Sequence, residues 1–282
     1  METISVVVPA KNEARTIASV VKEASSQSGV IEVIVIDDGS DDDTAGLAAS
    51  SGAKVISHPI SLGNGAAVKR GAREATGELI VFMDGDGQHA AADIPKLKDA
   101  MTGYDMAVGA RSSSGQTNFW RRGANYIYNV FSSFVTGHKI KDLTSGFRIV
   151  RAVKFKELLY LLPNGFSYPT TSTMAFFRSG YPVNYVYVDV AKRLGKSHIR
   201  PIKDGVRFLL IIFKVATLYS PLKVFVPIAA ISFLLGLGRY LYTYIEMGQF
   251  TNMSALLMVT AVQIFLIGLV SEQITTLMYK EK

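Results

Sequence analysis

Cysteine is absent from all 282 residues. Structural disulfides and thiolate metal sites are therefore excluded, and a reducing cytoplasm is the simplest setting for the polar part of the chain. The opening METISVVVPAKNE has neither a basic leader nor a long apolar core before a small-residue cleavage site. It reads as the first buried strand of a folded domain rather than a signal peptide. Lys and Arg are missing from EMGQFTN, residues 246–252, although the chain as a whole carries a formal charge of +7. That excess suits an anionic partner, whether nucleic acid, a lipid surface or a phosphorylated substrate. An apolar content of 49% and a mean hydropathy of +0.24 point to a membrane component.

Up to about Gly109 the runs ISVVVP, IEVIVID, AKVIS, ELIVFMD and DMAVG alternate with stretches of helical spacing. This alternation predicts an α/β domain with a mostly parallel sheet, in which ligands bind beyond the carboxyl ends of the strands. Three runs end in polar residues, Pro9 to Glu13, Asp37 to Asp41 and Asp84 to Gln88, which places all three along one edge. Residues 110–200 are less regular. GNGAAVKRG lacks the strand context and full glycine spacing of a dinucleotide loop, so a Rossmann dehydrogenase is disfavoured. His58 and His89 read as structural hydrogen-bonders, and Trp120, Tyr126 and Tyr128 as core residues.

The expected domains are 1–201, an amphipathic interface helix over 202–220, with a helix packed on the soluble domain as its alternative, and two membrane-spanning helices over 224–245 and 255–277, each long enough to cross about 30 Å of hydrocarbon. The short linker makes these spans an antiparallel hairpin. Lys214 and Lys223 precede it and Lys280 and Lys282 follow it, so the positive-inside rule places both termini and the α/β domain in the cytoplasm. Arg239 and Gln263 fall at similar depth, which predicts a hydrogen bond between them; snorkelling of Arg239 is the alternative.

The sequence VFMDGDGQH, residues 81–89, ends a buried run in concentrated negative charge. In extended backbone Asp84, Asp86 and Gln88 share a face, and two carboxylates and an amide suit a hard divalent cation, Mg²⁺ or Mn²⁺. A solvated Asp/Gly turn is the plainer alternative.

Together VVVPAKNEARTIASVV, VIVIDDGSDDDT, ELIVFMDGDGQH, GAR, LTSGFR and RLGKSHI, followed by the hairpin, resemble family 2 glycosyltransferases of GT-A fold. The likeness is greatest to polyprenyl-phosphate sugar synthases of the dolichol-phosphate-mannose synthase type, and it extends over nearly the whole chain. The resemblance implies that Pro9, Ala10, Asn12, Glu13 and Asp38 bind the nucleotide, with a carboxylate accepting hydrogen bonds from the base. It implies that Asp84, Asp86 and Gln88 hold the metal and diphosphate, and that Arg111 with Arg121 or Arg122 faces phosphates. Ser145, Gly146, Phe147 and Arg148 match the acceptor loop, and Arg193 with Ser197 the C-terminal basic loop. His198 stands where many relatives have lysine, with Lys196 nearby, and Gly87 where many have a larger residue.

The implied activity is inverting transfer of one hexose-type sugar from a GDP- or UDP-sugar to dolichyl or undecaprenyl phosphate at the cytoplasmic membrane face. Asp86, Arg122, Arg148 and Arg193 are the residues expected to carry it, the three arginines by holding the acceptor phosphate. A phosphate monoester with a second pKa near about 6 is already mostly ionised at neutral pH, so no general base is required. Transfer to another membrane acceptor such as a glycolipid and a non-catalytic sugar-nucleotide-binding scaffold are the alternatives. Processive polymerisation is disfavoured by the absence of QxxRW, and nucleic-acid binding by the dispersal of the basic residues. The reading is compatible with a homo-oligomer.

Overall fold

The computed structural model describes residues 2–111, 119–165, 167–190, 213–214 and 216–279, without the side chains of 119–122 and 124–128. The chain divides into two compact units, Met1–Phe131 with His138–Arg200, and Ser132–Gly137 with Pro201–Lys282.

The first unit is a seven-stranded sheet of β1 (Ile4–Ala10), β2 (Val30–Asp37), β3 (Lys54–Ser57), β4 (Leu79–Phe82), β5 (Met106–Arg111), β6 (Arg148–Arg151) and β7 (Val183–Val188), in the order β3-β2-β1-β4-β6-β5-β7. Every residue of β1 and β4 is buried, as expected of central parallel strands covered on both faces. Helix α1 (Ile17–Ser25) buries Ile17, Val20, Val21 and Ala24, a 3.6-residue stripe that joins Val6 and Val8 in the core. On the other face, α3 (Asn64–Glu74) lies so close that a Cβ on Gly71 would overlap Val7. Between these helices in the chain comes α2 (Thr44–Ser50), and after them α4 (Ile94–Asp99), α5 (Phe119–Thr136), α6 (Ala152–Glu157) and α7 (Tyr168–Arg178).

Parallel pairing sets Ala10 opposite Asp37 and Val7 opposite Phe82, so the polar ends of β1, β2 and β4 share one edge. Strand β6 is antiparallel to both β4 and β5, with Arg148 opposite Phe82 and Val108. Its direction delivers the preceding LTSG segment to that same edge.

The second unit contains α8 (Pro221–Met247) and α9 (Asn252–Met278), 27 residues each and apolar enough to cross a membrane. Their seam is a heptad of small side chains: Ala229, Gly236 and Thr243 on one helix, and Ser254, Ala261, Gly268 and Thr275 on the other, are buried. A Cβ on Gly268 would stand 2.6 Å from Phe225 Cβ, so glycine permits the helices to touch. Leu222 N–H donates to Glu272 Oε2 at 3.3 Å, and Lys223 Nζ to Val135 O at 2.8 Å. The expected Arg239–Gln263 bond is not formed, and both side chains are exposed. Equal depth did not suffice. Gln263 lies two residues from the buried Ala261, an offset that turns its side chain off the seam and away from Arg239. Most of the expected interface helix lies outside the described residues.

Candidate active site

The loops after β1 and β2 are laced together at the carboxyl edge. Asn12 takes a left-handed conformation, φ +58°, which asparagine tolerates. Its N–H donates to Ser40 Oγ at 2.9 Å and its Oδ1 accepts Asp41 N–H at 2.8 Å. Glu13 N–H donates to Thr44 Oγ1 at 2.9 Å. Pro9 and Ala10 are buried at the end of β1.

Asp38 departs from the expectation that its carboxylate meets a base. It is buried, and its oxygens accept His58 Nδ1, Ser61 Oγ and the N–H groups of Leu62 and Gly63, all at 2.7 to 2.8 Å. Burial raises the carboxyl pKa, but these donors, His58 first, outweigh it and hold the group below its ordinary value. Asp38 thus organises the 58–63 loop. His58 is a structural partner, as its position at a strand end suggests.

After β4 the backbone turns at Gly85–Asp86 rather than continuing extended, and Thr16 Oγ1 donates to Gly85 O at 2.6 Å. Gln88 N–H closes the turn on Asp86 Oδ1 at 3.1 Å, and Gly87 supplies φ +70°. Asp84 lines a cavity of about 100 Å³ with Asn64, Thr144, Gly146, Tyr168 and Thr170. Gln88 lines a second cavity of about 420 Å³ with Glu23, His89 and Asp189. The extended-backbone argument for one shared face therefore does not describe this turn.

Among the described residues no cluster of three His, Asp or Glu could hold a metal unaided. What the turn offers is two carboxylates and an amide, a hard oxygen set. This fits an ion such as Mg²⁺ or Mn²⁺, which keeps waters and takes phosphate oxygens to complete its coordination.

Two arginines face the same region differently. Arg111, at the end of β5, makes a bidentate pair with Asp142, Nε to Oδ2 at 2.8 Å and Nη2 to Oδ1 at 3.0 Å, and also donates to Thr144 Oγ1. Its side chain keeps 30% exposure. Burial works against ionisation of Asp142, yet the hydrogen bond and charge of Arg111, with the Arg111 and Thr144 N–H groups, keep its pKa low. Asp142 is the site residue that the sequence reading missed. Its only sequence signal is a carboxylate preceding TSG, and the pairing with Arg111 spans 31 positions.

Arg148 corrects the expectation of a direct phosphate contact. It is fully buried and donates to Pro169 O, Ser172 Oγ, Thr173 Oγ1 and Ser145 O. Ser145 is buried with it, so neither is presented to a ligand. His89 is buried and stacked on Phe147 at 5.1 Å between centroids. Burial lowers its pKa, against the charge of Asp86. The side chains of Arg121 and Arg122, and the whole of Arg193, Lys196, Ser197 and His198, lie outside the described residues.

Residues 5–159 match Glycosyl transferase family 2, and residues 220–277 match the GtrB C-terminal hairpin. The chain is 31% identical over 252 residues to Glycosyltransferase AglJ of Haloferax volcanii, covering 87% of this chain and 82% of that one. Over 153 residues it is 31% identical to the undecaprenyl-phosphate 4-deoxy-4-formamido-L-arabinose transferase of Salmonella choleraesuis, covering 50% of this chain and 46% of that relative. The crystal structure of glucosyl-3-phosphoglycerate synthase from Mycobacterium tuberculosis in complex with Mn²⁺, UDP-glucose and phosphoglyceric acid superposes with a TM-score of 0.60 at 25% identity, over 76% of this chain and 78% of that one.

Proposed function

This chain belongs to glycosyl transferase family 2 and has the GT-A fold, and from that premise we propose that it transfers one sugar from a nucleotide-sugar donor to polyprenyl phosphate. The observation that carries the reading is the acidic turn of Asp84 and Asp86 on the sheet's carboxyl edge, in a chain whose second unit matches the GtrB hairpin. The name of the Salmonella relative, an undecaprenyl-phosphate transferase, supports a lipid-phosphate acceptor.

Asp84 and Asp86, with Gln88 beside them, would hold Mg²⁺ or Mn²⁺. The bound ion supplies neutralisation of the diphosphate's growing negative charge as the sugar leaves. Arg111, steered by Asp142 and partly exposed, adds positive charge at the same edge. The acceptor phosphate arrives ionised, which supports single-displacement inversion without a protein base. Arg122 and Arg193 are proposed to hold that phosphate, countering repulsion between two anionic substrates. Pro9, Ala10, Asn12 and Glu13 are proposed to border the nucleotide.

The hairpin is proposed to span the membrane with both termini and the catalytic unit on the cytoplasmic side, since Lys214, Lys223, Lys280 and Lys282 flank it while its short loop has no Lys or Arg. Purified full-length protein in detergent, given Mn²⁺ or Mg²⁺, undecaprenyl or dolichyl phosphate and a panel of UDP- and GDP-sugars, tests the activity. One sugar per lipid phosphate is expected, with loss of product in Asp86→Ala. Failure of folded protein with every donor would contradict the proposal.

A further inference from the structure

Arg148 begins β6 with no solvent exposure at all. Its Nη1 donates to Pro169 O at 2.8 Å, Ser172 Oγ at 2.8 Å and Thr173 Oγ1 at 3.0 Å, and its Nη2 to Ser145 O. These four acceptors are all neutral, and Nε has no partner. A guanidinium buried without a contacting carboxylate is unfavourable, and an apolar side chain of the same volume would avoid that penalty. An apolar side chain cannot, however, hold backbone carbonyls of two separate segments at once.

Those segments are the walls around Asp84. Ser145 precedes Gly146, and Pro169 follows Tyr168; Gly146, Tyr168 and Pro169 all line the small cavity with Asp84. Tyr168 Oη donates to Gly146 O at 3.1 Å, and its ring lies 5.8 Å from Arg148 Cζ. A Cβ on Gly146 would stand only 2.8 Å from Asp84 Oδ2. Any drift of the Ser145–Gly146 segment is therefore felt directly by the carboxylate.

Resting on the metal reading of the acidic turn, we infer that Arg148 is a positioning residue: it clamps the Ser145–Gly146 segment to the N-terminal half of α7 and so fixes the Asp84 carboxylate for divalent-cation binding, without touching the acceptor phosphate. The test titrates full-length protein in detergent with Mn²⁺ alone, following free Mn²⁺ by electron paramagnetic resonance, and measures the KM for lipid phosphate in turnover. Arg148→Met should weaken Mn²⁺ binding about ten- to a hundredfold, the usual effect of removing an outer support of a metal ligand. Tyr168→Phe, which keeps the ring, should weaken it about threefold, the worth of one neutral hydrogen bond. Acceptor KM should stay within about twofold of the parent in both, since binding of the lipid phosphate is left intact. Parent-like Mn²⁺ binding by Arg148→Met, or a raised acceptor KM with unaltered Mn²⁺ binding, overturns the inference. If Arg148→Met does not fold, parent-like binding by Tyr168→Phe overturns it alone. A parent that binds no Mn²⁺ takes down the metal reading itself, and the clamp with it.

Discussion

Replacing Asp142 with Asn removes a charge on which five donors converge. Arg111 reaches its carboxylate through Nε at 2.8 Å, Nη2 at 3.0 Å and its backbone N–H at 3.2 Å; Thr144 adds its N–H at 3.1 Å and Oγ1 at 3.2 Å. Breaking a buried ion pair from one side costs about 3–5 kcal/mol because the partner is left uncompensated. Arg111 retains 30% side-chain exposure and Asn keeps one acceptor oxygen, so we expect about 2–3 kcal/mol, below the full-burial range. For a unit of this size that is about 5–10 °C in the thermal midpoint. The assay is thermal unfolding of the full chain in detergent, followed by circular dichroism. Acid adds an independent check. The native pKa of Asp142 is depressed, so its stabilisation is present above the unfolded value of about 4 and is lost as pH falls through the lower native value. The gap between parent and Asp142→Asn should therefore close on acidification below about pH 4. A variant midpoint within about 1 °C of the parent at neutral pH, or a gap that widens in acid, would refute the reasoning.

Gly146→Ala should fold yet weaken Mn²⁺ binding, because its Cβ would stand 2.8 Å from Asp84 Oδ2; equal binding in a Mn²⁺ titration would show that the close approach is unimportant. Gly268→Leu, whose Cβ would already stand 2.6 Å from Phe225 Cβ, should separate the hairpin helices and cost about 1–3 kcal/mol in detergent unfolding. By contrast Gln263→Leu should change that stability by less than about 0.5 kcal/mol, since the side chain is exposed and unpaired with Arg239. Asp38→Asn should expose the 58–63 loop to proteolysis by disrupting the four hydrogen bonds that its carboxylate accepts; an unchanged cleavage rate would count against its organising role.

The five strands legible in the sequence were the short apolar runs between stretches of helical spacing, and the shared edge of the three that end in polar residues followed from parallel pairing. RIVR and VNYVYV were not legible: β6 is only four residues long with arginine at both ends, and no local pattern announces that it runs antiparallel. That reversal is what brings Thr144 and Gly146 beside Asp84 and Asp142 beside Arg111. The match of LTSGFR to an acceptor loop made Arg148 look like a phosphate ligand. Its burial is a tertiary property, created by α7 packing over β6, just as the failure of Arg239 to meet Gln263 is a matter of helix rotation that depth cannot reveal.

Calorimetry of a turnover-competent nucleotide sugar binding to the full-length protein, with Mn²⁺ and then with chelator, probes the acidic turn most directly. Binding that disappears with chelator, and is absent from Asp86→Ala in either condition, is the expected result. Equal affinity in parent and variant whether or not the ion is present would contradict the role given to Asp84 and Asp86.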